Sequence, residues 1–137
     1  MNNIIALFIC LPLLASFIPM NTVQIVNNHN INRVEGIVNA AKEEARGEGY
    51  FTQDIKDEMK DQIKELGFTD DEIIINVTDT TKYRTDTFDP SQLISYKVGI
   101  KLDRLIGGNS VLGVSDEDNT TIHYVSGNVT SERLSGS

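Results

Sequence analysis

A chain of 137 residues is long enough for one hydrophobic core and too short for two independent ones, so a single domain is expected. Its 20 acidic residues outnumber the 12 basic ones, and the net charge of −8 disfavours binding to nucleic acid or to anionic lipid surfaces. The single cysteine, Cys10, excludes an internal disulfide, a multi-cysteine zinc site and a CxxC redox pair. Because Cys10 lies within an apolar run, we interpret it as a buried, inert thiol.

The charged residues are unevenly distributed along the chain. Residues 1–32 contain no Asp, Glu, Lys or Arg, whereas residues 35–72 carry 12 acids and 5 bases. The sequence therefore divides into an uncharged N-terminal part and an acidic remainder.

The uncharged part opens with an apolar run over residues 4–20, which rises about 25 Å as a helix and nearly crosses a hydrocarbon core. Exposed on a monomer, this run would form more contiguous apolar surface than soluble proteins tolerate, so it is expected to lie in lipid, against a partner, or to be removed. A cleaved secretory signal fits poorly, because no basic segment precedes the run and no small-residue cleavage site follows it. A lipoprotein signal also fits poorly, since bulky Ile9 precedes Cys10. Another hypothesis is that the chain is a mature form whose basic leader has already been cut off.

A single long helix is predicted over about residues 3–46. Pro12 and Pro19 each remove a helical hydrogen bond, but prolines are tolerated inside membranes and assemblies, so they predict a bend rather than two helices. Residues 21–32 contain no Gly or Pro, and the helix can continue through them. An apolar stripe then recurs every three or four residues up to Gly47. The members of this stripe are Ile31, Val34, Val38, Ala41 and Ala45.

A second, shorter helix is predicted over about residues 53–66. Thr52 can cap its first turn, and Gly67 supplies its C-terminal stop. One face of this helix is apolar and contains Ile55, Met59, Ile63 and Leu66. The opposite face carries Asp and Lys residues in succession, which we interpret as a solvated surface rather than a binding site.

Beyond residue 72 the hydrophobic period changes to two, which predicts β-strands. Three runs have this character, over residues 73–77, 93–102 and 120–130. In the second run, alternate positions are apolar, so one side is expected to pack on a helix and the other to face water. The apolar positions of that run are Ile94, Tyr96, Val98, Ile100 and Leu102.

The chain lacks the motifs that usually indicate catalysis or nucleotide binding, namely GxGxxG, the P-loop, HExxH and GxSxG. His29 and His123 are far apart in different predicted elements, which argues against a shared metal site or a catalytic dyad. Residues 116–120 follow the opening spacing of a calcium loop, but Thr121 stands where that loop needs glycine, so a structural turn is favoured. We therefore predict no enzyme activity, no metal and no cofactor.

Two further patterns are interpreted as structural. The acidic residues 70–72 follow the second helix and are expected to form a solvated loop rather than an acid/base pair. Asn76, Asn119 and Asn128 each begin an N-glycosylation acceptor pattern, but chains rich in Asn and Thr produce such matches by chance. Neither pattern changes the functional prediction.

The order of elements resembles that of type IV pilins and pseudopilins, in which an apolar N-terminal helix continues into an amphipathic half and then into a small head of β-strands. Three segments carry a closer likeness, namely Ser95–Leu102, the short connection Ile106–Gly108 and Ile122–Glu132. Through them the chain looks most like the small tight-adherence-type pilin-like proteins of Gram-positive bacteria, which belong to that class.

The resemblance implies an extracellular subunit that resides in the inner or cytoplasmic membrane before assembly. It also implies processing by a prepilin peptidase and polymerisation by the pilus assembly machinery, with the N-terminal helices bundled inside the filament. Many pilins carry a glutamate at mature position five that pairs with the N-terminus of the neighbouring subunit. This chain has Ile5 there and no acid before Glu35, so if Met1 is the mature terminus, packing alone must set the register.

The sequence thus predicts an α+β fold with a long N-terminal apolar-to-amphipathic helix, a second short helix and a small antiparallel β-sheet head. Residues 1–46 are expected to form the helix, with residues 4–20 as the apolar assembly or membrane segment, a transmembrane helix before assembly. Residues 47–137 are expected to form a head packed on the C-terminal half of that helix.

The predicted function is that of a structural subunit of a type IV pilus-like filament on the cell surface, which binds copies of itself. The predicted assembly interface consists of Ile4, Ile5, Leu7, Phe8, Ile9, Leu11, Leu13, Leu14, Phe17, Ile18, Val23 and Ile25. One alternative is a minor pseudopilin or a single-pass membrane-anchored surface protein whose head binds another component. A secreted enzyme with a cleaved leader is a third hypothesis, which the missing catalytic residues disfavour.

Overall fold

The computed structural model describes residues 2–103 and 113–135, except the side chains of residues 2, 16–21 and 23. The connection Ile106–Gly108, on which the resemblance partly rests, lies outside the described residues. The helices and strands, in chain order, are α1 (Asn2–Glu48), α2 (Gln53–Glu65), β1 (Ile73–Val77), β2 (Leu93–Asp103) and β3 (Thr120–Thr130). Short 3₁₀ turns at Asp70–Glu72 and Pro90–Gln92 precede β1 and β2.

The predicted fold class is wrong in its first element. α1 contains 47 residues, yet no helix in the described part of the chain is long and apolar enough to cross a membrane. The physical reason lies in the composition of α1: residues 4–20 rise only about 25 Å, against about 30 Å of hydrocarbon, and the residues from Asn21 to Asn32 are mostly polar. The observed fold is α+β with an antiparallel sheet, without the predicted membrane-spanning segment in its described residues.

The chain forms two compact units. The first contains residues 1–30 and 102–121, and the second contains residues 31–101 and 122–137. Each unit includes a part of α1, so the predicted division into residues 1–46 and 47–137 stays a prediction.

The hydrophobic core of the second unit is built from apolar faces of the C-terminal part of α1, of α2 and of β2, together with Ile73 of β1 and the connecting residues Phe51 and Phe68. Buried residues lie three or four positions apart in the helices and mostly two positions apart in β2. These periods keep the side chains on a single face of each element. The core residues of this unit are Val34, Val38, Ala41, Ala45, Phe51, Ile55, Met59, Ile63, Phe68, Ile73, Ile94, Val98 and Ile100. Ile31, the first member of the predicted stripe, is only partly buried.

α2 begins and ends where local chemistry satisfies its free backbone groups. The hydroxyl of Thr52 accepts a hydrogen bond from the backbone N–H of Ile55, at 3.3 Å, as an N-cap does. Gly67 follows the helix with φ at 103°, a conformation that costs glycine little. These two residues fix the bounds of the helix and hence the positions of its buried side chains.

The sheet has the strand order β1-β2-β3 and exposes one face to solvent. β1 pairs antiparallel with β2, so that Ile75 lies opposite Val98 and Asn76 opposite Lys97. A Cβ added at Gly99 would lie 2.7 Å from the ring of Tyr124, which shows that this ring crosses β2 at the glycine. The absence of a side chain at Gly99 therefore lets β3 cover part of the outer face of β2.

Contacts between distant residues hold the end of α1 within the second unit. Arg46 forms an ion pair with Glu132 at 2.6 Å, and the backbone N–H of Glu132 donates to the carbonyl of Arg46 at 2.9 Å. The guanidinium of Arg133 donates to the carbonyl of Glu48 at 3.0 Å, which satisfies an acceptor that the helix end leaves free. The segment after β3 thus caps the C-terminus of α1.

Candidate assembly surface

Among the residues that the structure describes, the largest group of exposed apolar side chains lies in the N-terminal part of α1, within the first unit. Leucine predominates in this segment and favours the helix, which continues without interruption through Pro12. We call residues 4–14 the apolar segment. Its eight large apolar side chains are Ile4, Ile5, Leu7, Phe8, Ile9, Leu11, Leu13 and Leu14.

All eight side chains are strongly exposed. The exposed fraction ranges from 57% at Ile9 to 75% at Phe8, whereas large aliphatic residues usually lie inside a soluble protein. Isolated exposed apolar residues are common, but a contiguous group of this size usually marks a surface that another molecule covers.

The apolar side chains surround the helix instead of forming a stripe. Successive residues of an α-helix are turned by about 100°, so Ile4, Ile5 and Leu7 already point in three different directions. Ala6 and Cys10 occupy the remaining sector. A helix that is apolar on every side needs cover on every side, which a single neighbouring helix cannot provide.

The electrostatics of the segment favour close approach between identical copies. No charged residue occurs before Arg33, so the negative charge of the chain lies entirely outside residues 1–32. Two copies of the apolar segment can therefore come into contact without burying or opposing like charges.

Most of the predicted interface is described by the structure. Ile25 is 67% exposed and belongs to the exposed apolar group, whereas the side chains of Phe17, Ile18 and Val23 lie outside the described residues. Val26, which is not part of the predicted interface, is 52% exposed and also belongs to this group, as its position directly after Ile25 indicates.

The interpretation of Cys10 as a buried thiol is wrong, because its side chain is exposed. The physical reason is the same as for its neighbours: an apolar run predicts burial only if something covers it, and the single chain does not. Cys10 consequently reports on whether the apolar segment becomes covered.

The two histidines belong to different units. His29 lies in the first unit and is exposed, while His123 lies in the second unit with its Nε2 atom 3.7 Å from Oε1 of Glu35. The pairing of His123 with Glu35 has no signal in the sequence, since nothing local relates α1 to β3. The described residues contain no group of three or more His, Cys, Asp and Glu side chains that could hold a metal ion.

The acidic turn before β3 is held together by its own side chains. The hydroxyl of Ser115 donates to Oδ2 of Asp118 at 2.7 Å, and the backbone N–H of Asp118 donates back to that hydroxyl at 3.1 Å.

Of the three acceptor patterns for glycosylation, Asn76 and Asn128 are exposed, whereas Asn119 is buried at 2% exposure. A modifying enzyme could not reach Asn119 in the folded chain.

The charged face of α2 pairs with the 3₁₀ turn that follows it. Asp70 accepts from Lys60 at 2.9 Å and from Lys64 at 3.4 Å. The hydrogen bond from Lys60, then that from Lys64, and the attraction of both ammonium groups hold the pKa of Asp70 below its usual value. The hydrogen bond to Asp70 in turn raises the pKa of Lys60. At the 3₁₀ turn that precedes β2, the backbone N–H of Ser91 lowers the pKa of Asp89 by donating to its carboxylate. These groups act as surface ion pairs and caps.

Comparison of the chain with known protein families, with curated proteins and with solved structures gives no match. The resemblance to type IV pilins and tight-adherence-type proteins therefore stays a prediction that depends on the order and composition of the elements.

Proposed function

We propose that this chain is a structural subunit, not an enzyme, that polymerises through its apolar segment into an extracellular filament of the type IV pilus-like kind. The observation that carries the proposal is the exposure of eight large apolar side chains around the whole circumference of α1. The occupant of this surface is the same segment in other copies of the chain.

The size of the apolar segment supports association. Covering the exposed surface of the eight large side chains contributes on the order of 10 kcal/mol per subunit, before the cost of ordering the partners. The absence of charge from residues 1–32 means that no ionic group has to be desolvated when these helices meet.

The distribution of the apolar side chains supports a polymer rather than a dimer. Two helices in contact would cover one side of each, and the remaining apolar side chains would stay exposed to water. Contacts that reuse different sides of the same helix are heterologous, and they produce an open helical fibre unless the rotation closes a ring. A bundle of α1 helices inside a filament therefore satisfies the whole segment.

The experiment compares full-length protein with single Leu→Asp variants in the absence of detergent. Leu7→Asp and Leu14→Asp place a charge in the proposed contact and should abolish assembly, because an unpaired carboxylate in an apolar contact costs several kcal/mol. Leu134→Asp is the matched control, since Leu134 is 62% exposed, close to the 59% of Leu7, and lies outside the segment. Sedimentation velocity and negative-stain microscopy measure the assembled fraction.

Cys10 supplies a second measurement on the same samples. As the single cysteine of the chain, it should react slowly with iodoacetamide in assembled wild-type protein and rapidly in Leu7→Asp. A wild-type chain that stays monomeric without detergent, or Leu7→Asp filaments of normal abundance, would overturn the proposal. A monomer whose head binds another component would favour the pseudopilin alternative.

A further inference from the structure

A shallow groove of about 330 Å³ crosses the outer face of the sheet in the second unit. We call it the outer groove. Its lining residues come from all three strands and are Asn76, Ser95, Tyr96, Lys97, Ser126, Gly127 and Asn128. Because side chains alternate along a strand, Asn76, Ser95, Lys97, Ser126 and Asn128 are exposed to solvent.

Gly127 of β3 lets the side chain of Tyr96 in β2 lie close against the backbone at the groove. A Cβ at this position would lie 2.7 Å from the hydroxyl oxygen of Tyr96 and 3.0 Å from the ring carbon that carries it. The ring of Tyr96 is in turn held beside Phe51 of the core, with 6.4 Å between the ring centroids. The groove therefore rests on a part of the sheet that is tied to the hydrophobic core.

The polar side chains of the groove are free to bind a ligand. In the described part of the chain, the side chains of Asn76, Ser126 and Asn128 form no hydrogen bond. Amides and hydroxyls both donate and accept hydrogen bonds, which suits the hydroxyl groups of a sugar.

Lys97 gives the groove a positive charge in a chain whose net charge is −8. Its ammonium nitrogen lies 4.4 Å from the ring centroid of Tyr124, a cation–π contact that restricts the side chain. The lining contains no carboxylate, so the charge of Lys97 is not neutralised within the groove. A ligand that bears a carboxylate would complement it.

We infer that the outer groove binds a carboxylate-bearing sugar, a uronic acid alone or within a polysaccharide. Lys97 contacts the carboxylate, and the amides of Asn76 and Asn128, with the hydroxyl of Ser126, contact the sugar hydroxyls. The groove is open and shallow, which suits a sugar on a chain better than an enclosed small molecule. This inference depends on the second unit alone and is independent of the proposed filament.

The test passes full-length protein over immobilised polygalacturonate and over the same polymer with its carboxylates methyl-esterified. Wild type should bind the acid form and should bind the ester at least about tenfold more weakly, since a charge-assisted hydrogen bond is lost. Lys97→Gln should show a similar loss on the acid form. Lys101→Gln is the matched control, because it removes the same charge from the same face of β2 outside the groove.

Asn128→Ala provides a second variant that leaves the cation–π contact intact, and it should weaken binding several-fold. Competition by free galacturonate identifies a soluble sugar as ligand, and binding of the polymer alone identifies a polysaccharide; either result supports the inference. Three results overturn it: no binding by wild type, equal binding of acid and ester, or an equal loss in Lys101→Gln and Lys97→Gln. Thermal unfolding confirms that each variant is folded.

Discussion

The two halves of α1 differ in how their apolar residues are used. In the apolar segment, the large side chains are between 57% and 75% exposed, whereas Val34, Val38 and Ala45 of the same helix are completely buried. The apolar segment is apolar on all sides, and the C-terminal half of α1 is apolar on one side. A single face can be covered by the elements of one chain, but a full circumference needs other molecules.

The folding of the second unit and the proposed assembly therefore depend on different residues of α1. Substitutions in the C-terminal half should lower the stability of the second unit, and substitutions in the apolar segment should lower only the assembled fraction. Substitutions in α1, in β3 and at the ends of α2 can test this separation.

Val38→Asp should have the largest effect, because it places a carboxylate at a fully buried position of the core. We expect a loss of at least about 4 kcal/mol in the free energy of unfolding, enough to unfold many domains of this size. Circular dichroism during thermal unfolding measures this, with Leu7→Asp as the comparison that should leave the melting temperature of the second unit unchanged. Equal melting of Val38→Asp and wild type would contradict the separation.

Gly127→Ala should destabilise the second unit by about 1–3 kcal/mol, because the new Cβ would overlap the hydroxyl of Tyr96. Adding Tyr96→Phe removes the nearest atom and should recover part of the loss. Chemical denaturation of the single and double variants measures both changes. If the double variant is no more stable than Gly127→Ala, the clash with this hydroxyl is not the cause.

Thr52→Ala should lower the free energy of unfolding by about 1 kcal/mol, because the backbone N–H of Ile55 loses its acceptor. Thr52→Ser keeps a hydroxyl at the N-cap and serves as the control that should stay close to wild type. Assembly of the folded fraction should be unaffected in both variants. A larger loss for Ser than for Ala would argue against the capping role.

Asp70→Asn should have the smallest effect, since Asp70 and Lys60 are exposed. The pKa of Asp70 is lowered in the folded chain, so its contribution is present above the usual carboxyl pKa of about 4 and is lost as the pH falls through the lowered value. The pKa of Lys60 is raised in the folded chain, so its contribution to stability is present below the usual lysine pKa of about 10 and is lost as the pH rises through the raised value. The variant should therefore flatten the acid limb of a plot of melting temperature against pH, and an unchanged acid limb would show that the pair contributes nothing.

Local patterns in the sequence predicted the local features of the fold. The stripe from Val34 to Ala45 indicated a buried helical face, and Thr52 and Gly67 indicated the ends of α2. The alternation in residues 93–102 indicated β2. These features could be predicted because each depends on residues within a few positions of one another.

The apolar segment could be recognised from the sequence, but its surroundings could not. The apolar run over residues 4–20 predicts a membrane-spanning alternative that the described residues do not contain, and it predicts a buried Cys10, whereas Cys10 is exposed. Apolar composition predicts that a segment will avoid water, but it does not specify whether lipid, the chain itself or another copy provides the cover.

The sequence alone predicts the uncharged N-terminal part, the amphipathic face that follows it and the strands, because charge and periodicity are properties of neighbouring residues. Contacts between distant residues depend on the tertiary structure, which brings Arg46 to Glu132 and Glu35 to His123 and places Asn76 and Asn128 along one groove. Such contacts depend on strand order and register, which are set by packing across the whole second unit rather than by local preference.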